Sequence, residues 1–156
     1  MTEQVLKIGE SMSRRVAREV ALQALFQMDL NPMDDNVSDE AEETFAVDNA
    51  VQENPKMKPE DLAYARHIVH GTRENLDSID EKISTVSNGW SIERMPAADR
   101  NIARIAVYEM FYADEKLQPE IAINEAVELA KRFGTDKSRG FINGILDKML
   151  DKAKDA

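Results

Sequence analysis

The chain has 156 residues, a natural size for one globular domain, and its 42% hydrophobic residues suffice for a buried core. It contains no cysteine, which excludes disulfide bonds, zinc–thiolate sites and thiol nucleophiles. The net charge of −10 is unusual for a nucleic-acid binder, but residues 34–61 alone carry −8, from ten acidic residues against two lysines. The rest of the chain therefore carries only −2, which leaves room for a basic surface elsewhere.

The composition also indicates a soluble helical protein. Six Gly and five Pro are few, and good helix formers are common. No apolar run approaches the roughly 20 residues that span a bilayer, and the first ten residues lack the apolar segment of a signal peptide. We expect a cytoplasmic protein without membrane contact, with a flexible N-terminus at 1–12, a single helical domain at 13–152 and a C-terminal tail at 153–156.

The first predicted helix runs from Ser13 to Leu30. Its apolar residues recur at the spacing of one helix face: Val16, Ala17, Val20, Ala21, Ala24, Leu25 and Met28. Pro32 ends it, since proline disfavours helical backbone at the preceding residue. Three arginines, Arg14, Arg15 and Arg18, lie in the predicted first turns, where cations oppose the helix macrodipole. We therefore expect them to serve a purpose other than helix stability.

The middle of the chain has a weaker pattern. Residues 34–54 are acidic, with sparse apolar positions at Val37, Ala41, Phe45 and Val47, and predict a marginal helix between loops. Pro59 suits the first turn of the next helix. Helical spacing then continues to Val86, a length that predicts either two helices or one with a break near Gly71.

The last third of the chain predicts three more helices. Residues 90–96 form a connector with apolar anchors at Trp90, Ile92 and Met95. Helices follow at about 97–113, 121–133 and 138–152, and Gly134 between the last two is able to take a positive φ. Since no stretch alternates like a strand, the predicted fold is all-α.

A search for catalytic motifs favours a protein that is not an enzyme. The sequence has no P-loop, no G-x-G-x-x-G and no G-x-S-x-G. His67 and His70 are three residues apart on one predicted helix, a spacing that can bind a metal only with a third ligand from elsewhere. We interpret them as ordinary helix histidines and expect no metal and no cofactor.

Two groups of residues suit contact with nucleic acid. Arg14, Arg15 and Arg18 present guanidinium groups that pair with phosphates, although a solvated helix end explains them equally well. The second group is the junction 131–141, which carries +3 over residues 131–139 and opens a helix whose amides can receive a phosphate. There Phe141 is either a base-stacking residue or a core anchor, and Gly140 fits close backbone approach or packing.

Three stretches resemble those of a known family: "RRVAREVALQALFQMDL" at 14–30, "DRNIARIAVYEM" at 99–110 and "IAINEAVELAKRFGTDKSRGFINGILDKML" at 121–150. In this order and spacing they resemble the bacterial NusB transcription antitermination family over nearly the whole chain. The resemblance implies an all-α, NusB-like helical domain of about seven helices in two packed bundles. It also implies binding of the boxA element of nascent ribosomal leader RNA together with NusE, a small-subunit ribosomal protein.

The resemblance assigns expected roles residue by residue. The residues expected to contact RNA are Arg14, Arg15, Arg18, Arg104, Lys137, Ser138, Arg139 and Phe141. Val16 stands where many members of the family have a further arginine, and Lys137 where some have an acidic residue. Asp99 matches an acidic position on the face that meets NusE.

The implied partners are boxA RNA and NusE, with other Nus factors and RNA polymerase reached indirectly. The acidic segment 34–61 has the charge to complement a basic ribosomal protein. Two alternatives share the sequence features: an accessory module of rRNA processing or methylation, and a helical adaptor that binds only protein. A homodimer is also open, because an apolar or arginine-bearing face of the first helix could self-associate. Such a dimer would mask the arginines.

Overall fold

The computed structural model describes the backbone of residues 3–155 and the side chains of residues 14–150. Over that part of the chain it has seven α-helices, one short 3-10 helix and no strand, which confirms the all-α prediction. The α-helices are α1 (Glu3–Leu30), α2 (Asp39–Val51), α3 (Pro59–Glu74), α4 (Leu76–Val86), α5 (Ala97–Phe111), α6 (Pro119–Phe133) and α7 (Ser138–Asp155). They form two compact units that divide between His70 and Gly71. None of the helices whose residues are described is long and apolar enough to cross a membrane.

In the first unit, α1 buries the face that its apolar spacing predicts. Six of the seven predicted positions are buried, and only Val16 stays partly exposed. The helix begins at Glu3, ten residues before the predicted start, so Arg14 lies well inside it. The prediction that the arginines oppose the helix dipole is therefore wrong, since the unfavourable interaction of a cation with the dipole is confined to the first turn. The predicted flexibility of residues 1–12 stays a prediction.

Helix α2 is better formed than the sparse apolar pattern suggested. Ser38 caps its first turn by accepting a hydrogen bond from the amide of Ala41 at 3.1 Å, and acidic residues in that turn favour the dipole. The buried face consists of Ala46, Val47 and Ala50, and it packs against α1. Phe45, another of the sparse apolar positions, is 49% exposed.

The long periodic stretch after Pro59 divides into two helices. Asn75 separates α3 from α4, and its side-chain amide donates to the carbonyl of Gly71 at 2.8 Å. That contact satisfies a carbonyl at the end of α3 and stops the helix. At the end of α4, Asn88 and Gly89 take positive φ values of 53° and 84°, which turns the chain into the connector.

The second unit is organised around α5. Every residue from Asn101 to Val107 is buried, and the helix packs against α4, α6 and α7. Helices α6 and α7 also pack against each other, as expected for consecutive helices joined by a short loop. Buried apolar residues of α7 include Ile142, Leu146 and Met149, at the three- and four-residue spacing of one helix face.

Gly71, near the end of α3, lies directly against Tyr108 of α5. A Cβ atom added there would sit 2.2 Å from the ring of Tyr108, so the helix can carry only glycine at this point without a shift. Burial raises the pKa of the Tyr108 hydroxyl above its usual value, and the carboxylates of Asp114, Glu109 and Glu74 raise it further. The ring therefore sits in a confined, anionic environment.

We predict that Gly71→Ala destabilises the protein by about 1–2 kcal/mol, because the Tyr108 ring must move and this outweighs the gain in helix propensity. Gly144→Ala is the control, since nothing lies within 4 Å of its added Cβ and alanine should stabilise α7 by about 0.5–1 kcal/mol. Urea denaturation measures both. Equal stabilisation by the two substitutions would contradict the close approach at Gly71.

Candidate nucleic-acid interface

Two of the arginines on α1 share one aromatic ring of the first unit. The guanidinium of Arg14 lies 4.6 Å from the centre of the Tyr64 ring, and that of Arg18 lies 5.7 Å from it. Arg18 also donates to the Tyr64 hydroxyl at 3.4 Å and is only 3% exposed. Tyr64 therefore fixes the positions of both side chains through cation–π contact.

Arg15 differs from its two neighbours because its side chain is exposed. Of the three predicted arginines, it is the one that the helix presents most openly to solvent. Tyr64 itself was not singled out from the sequence, because it stands beside the periodic positions Leu62 and Ala65 and no motif marks it.

A cleft of about 540 Å³ opens at Val16 of α1, the residue after Arg15. Its other wall is the loop that joins α2 to α3, where Lys56 and Lys58 project among acidic and apolar residues. The lining consists of Val16, Glu53, Asn54, Pro55, Lys56, Met57, Lys58 and Asp61. In the sequence these two lysines were counted only against the acidic segment, whereas the structure places them next to the arginine helix.

The junction before α7 is organised by the Ser138 side chain. Its hydroxyl accepts a hydrogen bond from the amide of Thr135 at 2.8 Å, and the residue is 1% exposed. Gly134 has φ −98°, so the expected positive φ is wrong. Glycine is needed there for space, because an added Cβ would meet the Ser138 hydroxyl oxygen at 2.4 Å. Ser138 therefore shapes the loop from inside, and its predicted contact with RNA stays untested.

Around this junction, the exposed surface includes basic and aromatic side chains. Lys137 and Arg139 are exposed, and Phe141 is partly exposed. The Phe141 ring packs against Trp90 with centroids 6.2 Å apart and planes tilted by 56°. The prediction that Trp90 is an apolar anchor is wrong, since its side chain is 54% exposed. Met95 of the same connector is buried, as predicted. Gly140 has open space around it, so packing inside the protein does not explain it.

Arg104 is part of an internal ion pair rather than an exposed basic site. Its guanidinium donates to both carboxylate oxygens of Asp80 on α4 at 2.8 Å and to the Asn101 side chain at 3.1 Å. The Arg104 side chain is only 10% exposed. This geometry gives it a structural role between α4 and α5, and contact with RNA stays an untested prediction that the geometry disfavours.

Asp99 is also buried, with 5% exposure in the first turn of α5. One of its carboxylate oxygens has no hydrogen-bond donor within reach among the described residues. The carboxylate lies favourably at the positive end of the helix dipole. Its predicted contact with a protein partner stays untested, and its side chain is not presented on the surface.

The two histidines lie on α3 of the first unit. His67 is exposed, and His70 lies 3.2 Å from a carboxylate oxygen of Glu43. Among the described residues, no group of three or more His, Asp or Glu side chains is placed to hold a metal ion. Other acids of the 34–61 segment are also engaged, since Asp48 pairs with Arg66 at 2.9 Å and Glu42 accepts from the amide of Met33 at 2.7 Å.

Comparison with known proteins identifies close similarity to one family. The profile of the NusB family matches residues 15–151. The transcription antitermination protein NusB of Desulforamulus reducens is 43% identical over 145 residues, 93% of this chain and 94% of that protein.

Solved structures agree in fold. NusB of T. maritima superimposes with a TM-score of 0.73 at 31% identity, over 92% of this chain and 97% of that one. A crystal structure of the antitermination factors NusB and NusE in complex with double-stranded RNA gives a TM-score of 0.75 at 23% identity, over 90% and 98%.

For the internal ion pair, we predict that Asp80→Ala lowers the free energy of unfolding by about 2–3 kcal/mol, because it leaves the buried Arg104 guanidinium without its counter-charge. Asp48→Ala is the matched control, since it breaks a largely exposed pair with Arg66 and should cost at most about 1 kcal/mol. Chemical denaturation of both variants measures the two losses in free energy of unfolding. Similar small losses would show that Arg104 is not held by Asp80.

Proposed function

The chain belongs to the NusB family of transcription antitermination proteins, and from this premise we propose that it binds boxA RNA of nascent ribosomal leader transcripts together with NusE. The observation that carries the proposal is the surface at the start of α7, where Lys137 and Arg139 are exposed and Phe141, one turn after Lys137, is partly exposed. Basic and aromatic side chains on one surface suit single-stranded RNA, because the cations pair with phosphates and the ring stacks on a base.

The charge distribution supports this site. The protein carries −10 overall, yet residues 131–139 carry +3. A basic patch of this size on an acidic protein binds phosphates locally while the remaining surface repels nonspecific RNA. We therefore expect modest affinity for RNA by the chain alone, with a strong dependence on salt.

In the first unit, we propose that Arg15 makes the direct phosphate contact. It is exposed, and the next residue of α1, Val16, lines the cleft with Lys56 and Lys58. Arg14 and Arg18 are positioned by Tyr64, which orients their guanidinium groups and limits how far they can extend.

The roles of Ser138 and Arg104 follow from their burial. We propose that Ser138 shapes the loop that presents Lys137, and that Arg104 holds α5 to α4. Both act by supporting the fold around the RNA-binding residues.

The protein partner in this proposal is NusE. The acidic segment 34–61 supports it, because opposite charges accelerate the encounter with a basic ribosomal protein. Exposed apolar side chains in the same unit, Phe26 and Leu30 four residues apart on α1 and Phe45 on α2, provide area for a protein contact. Other Nus factors and RNA polymerase would be engaged through that complex.

A separate measurement addresses the homodimer. Light scattering with and without RNA tests whether the chain pairs through α1 and so hides its arginines. RNA that dissociates a dimer into monomers would indicate such masking.

We predict that Arg15→Ala and Lys137→Glu each weaken binding of single-stranded boxA RNA, on the order of tenfold for the charge reversal and less for the truncation. Each should also lower the slope of log affinity against log salt, since a phosphate contact is lost. Filter binding with NusE present, at several salt concentrations, measures both quantities.

Lys116→Gln is the control, because this exposed lysine lies in the α5–α6 loop away from the proposed contacts in its unit. It removes a similar charge and should leave the salt slope nearly unchanged. If Arg15→Ala and Lys137→Glu behave like this control, the assignment of those two residues is wrong.

A further inference from the structure

The only tryptophan of the chain is one of its most exposed apolar residues. Trp90 is 54% exposed and stands in the connector between α4 and α5. Leaving so large an aromatic surface in water forgoes the free energy of burial. Its ring meets Phe141 at a tilt of 56°, an edge contact that leaves ring surface available to a planar ligand.

The backbone that carries Trp90 is held firmly. The Ser87 hydroxyl donates to the Trp90 carbonyl at 2.7 Å, and the Trp90 amide donates to the Ser87 carbonyl at 3.1 Å. Further along the connector, the guanidinium of Arg100 donates to the carbonyls of Ile92 at 3.1 Å and Met95 at 3.3 Å. An exposed ring on an ordered loop is a preorganised binding surface, because little conformational entropy is lost when a ligand covers it.

A stripe along one face of α7 continues the surface past Phe141. Lys137, Phe141, Gly144 and Lys148 are separated by four, three and four residues, which places them along one side of a helix. The two lysines at its ends are about 16 Å apart along the helix axis. Gly144 has nothing within 4 Å of an added Cβ, so the stripe is open between its aromatic and basic residues.

Lys148 ties this stripe to the segment before Trp90. Its ammonium donates to the carbonyl of Val86 at 3.4 Å, at the end of α4, and the residue is exposed. Two acids lie nearby on the chain. Asp136 precedes Lys137. Asp147 accepts a hydrogen bond from Asn143, and this pair lies on a different side of α7 from the stripe.

From these observations we infer that Trp90 and Lys148 extend the RNA-binding surface of the second unit, with a nucleobase stacked on Trp90 and Lys148 on a neighbouring phosphate. The ligand is a single-stranded segment, because a base inside a duplex does not expose its face to a ring. This inference rests on the proposed function, since it adds nucleotides to the site at Phe141.

The intrinsic fluorescence of Trp90 tests the inference without any substitution. Single-stranded boxA RNA is titrated into the full chain with NusE, and binding is followed in parallel by polarisation of a labelled RNA. A Trp90→Phe chain with NusE supplies the background. We expect the Trp90 signal to change and to saturate at the same RNA concentration as the polarisation.

Substitutions at Trp90 and Lys148, with one control, complete the test. Trp90→Ala should weaken RNA binding roughly tenfold through the lost stacking, and Trp90→Phe should recover most of that loss. Lys148→Gln should lower the salt slope by about 0.7, and Lys116→Gln should not. A merely structural role for either residue would change stability without changing the salt slope or the fluorescence.

The outcomes separate the two levels of the proposal. If RNA binds by polarisation but the Trp90 fluorescence stays constant and Trp90→Ala binds like the wild type, this inference is overturned and the proposed function stands. If no RNA binds with or without NusE, the proposed function fails and this inference fails with it.

Discussion

Helix α5 has no solvent-facing side between Asn101 and Val107, and the rest of the second unit is built around that constraint. A helix buried on all sides must satisfy each polar side chain that it carries. Arg104 does so by binding both oxygens of Asp80 on α4, which fixes how α4 lies against α5. With α4, α6 and α7 packed on α5, the connector and the outer face of α7 are among the parts of this unit that stay exposed to solvent.

The protein separates its charges by position. Acidic residues are concentrated in and around α2, several of them already engaged with His70, Arg66 or the backbone of Met33. The exposed cations that suit phosphate occur at Arg15 in one unit and at Lys137 and Arg139 in the other. An overall charge of −10 is therefore compatible with RNA binding, since only the local field at each contact determines the attraction.

The helices could be predicted from the sequence because burial imposes a spacing on apolar residues. Ala17, Val20 and Ala24 on α1 illustrate this, as do Ile142 and Leu146 on α7. Spacing does not reveal which polar side chain meets a partner from another helix. Neither the pairing of Arg104 with Asp80 nor the Tyr64 ring beside Arg14 could therefore be predicted.

Conformation at single residues was equally hidden from the sequence. Gly134 suggested a left-handed backbone, but its actual reason is the Ser138 hydroxyl that occupies the space of a side chain. Trp90 suggested a core anchor, because a tryptophan in a connector is more often buried than exposed. Both residues lie beside the surface where RNA binding is proposed. Packing explains Gly134, whereas it does not explain the exposed Trp90, which is the residue that a function at this surface would select.

We propose that the chain binds single-stranded boxA RNA more tightly with NusE than alone. The most direct test is titration of one short boxA RNA, with and without NusE, at several salt concentrations. We expect modest, salt-sensitive binding by the chain alone and a clear gain in affinity when NusE is added. Absence of binding in both cases, or binding that ignores salt and NusE, would contradict it.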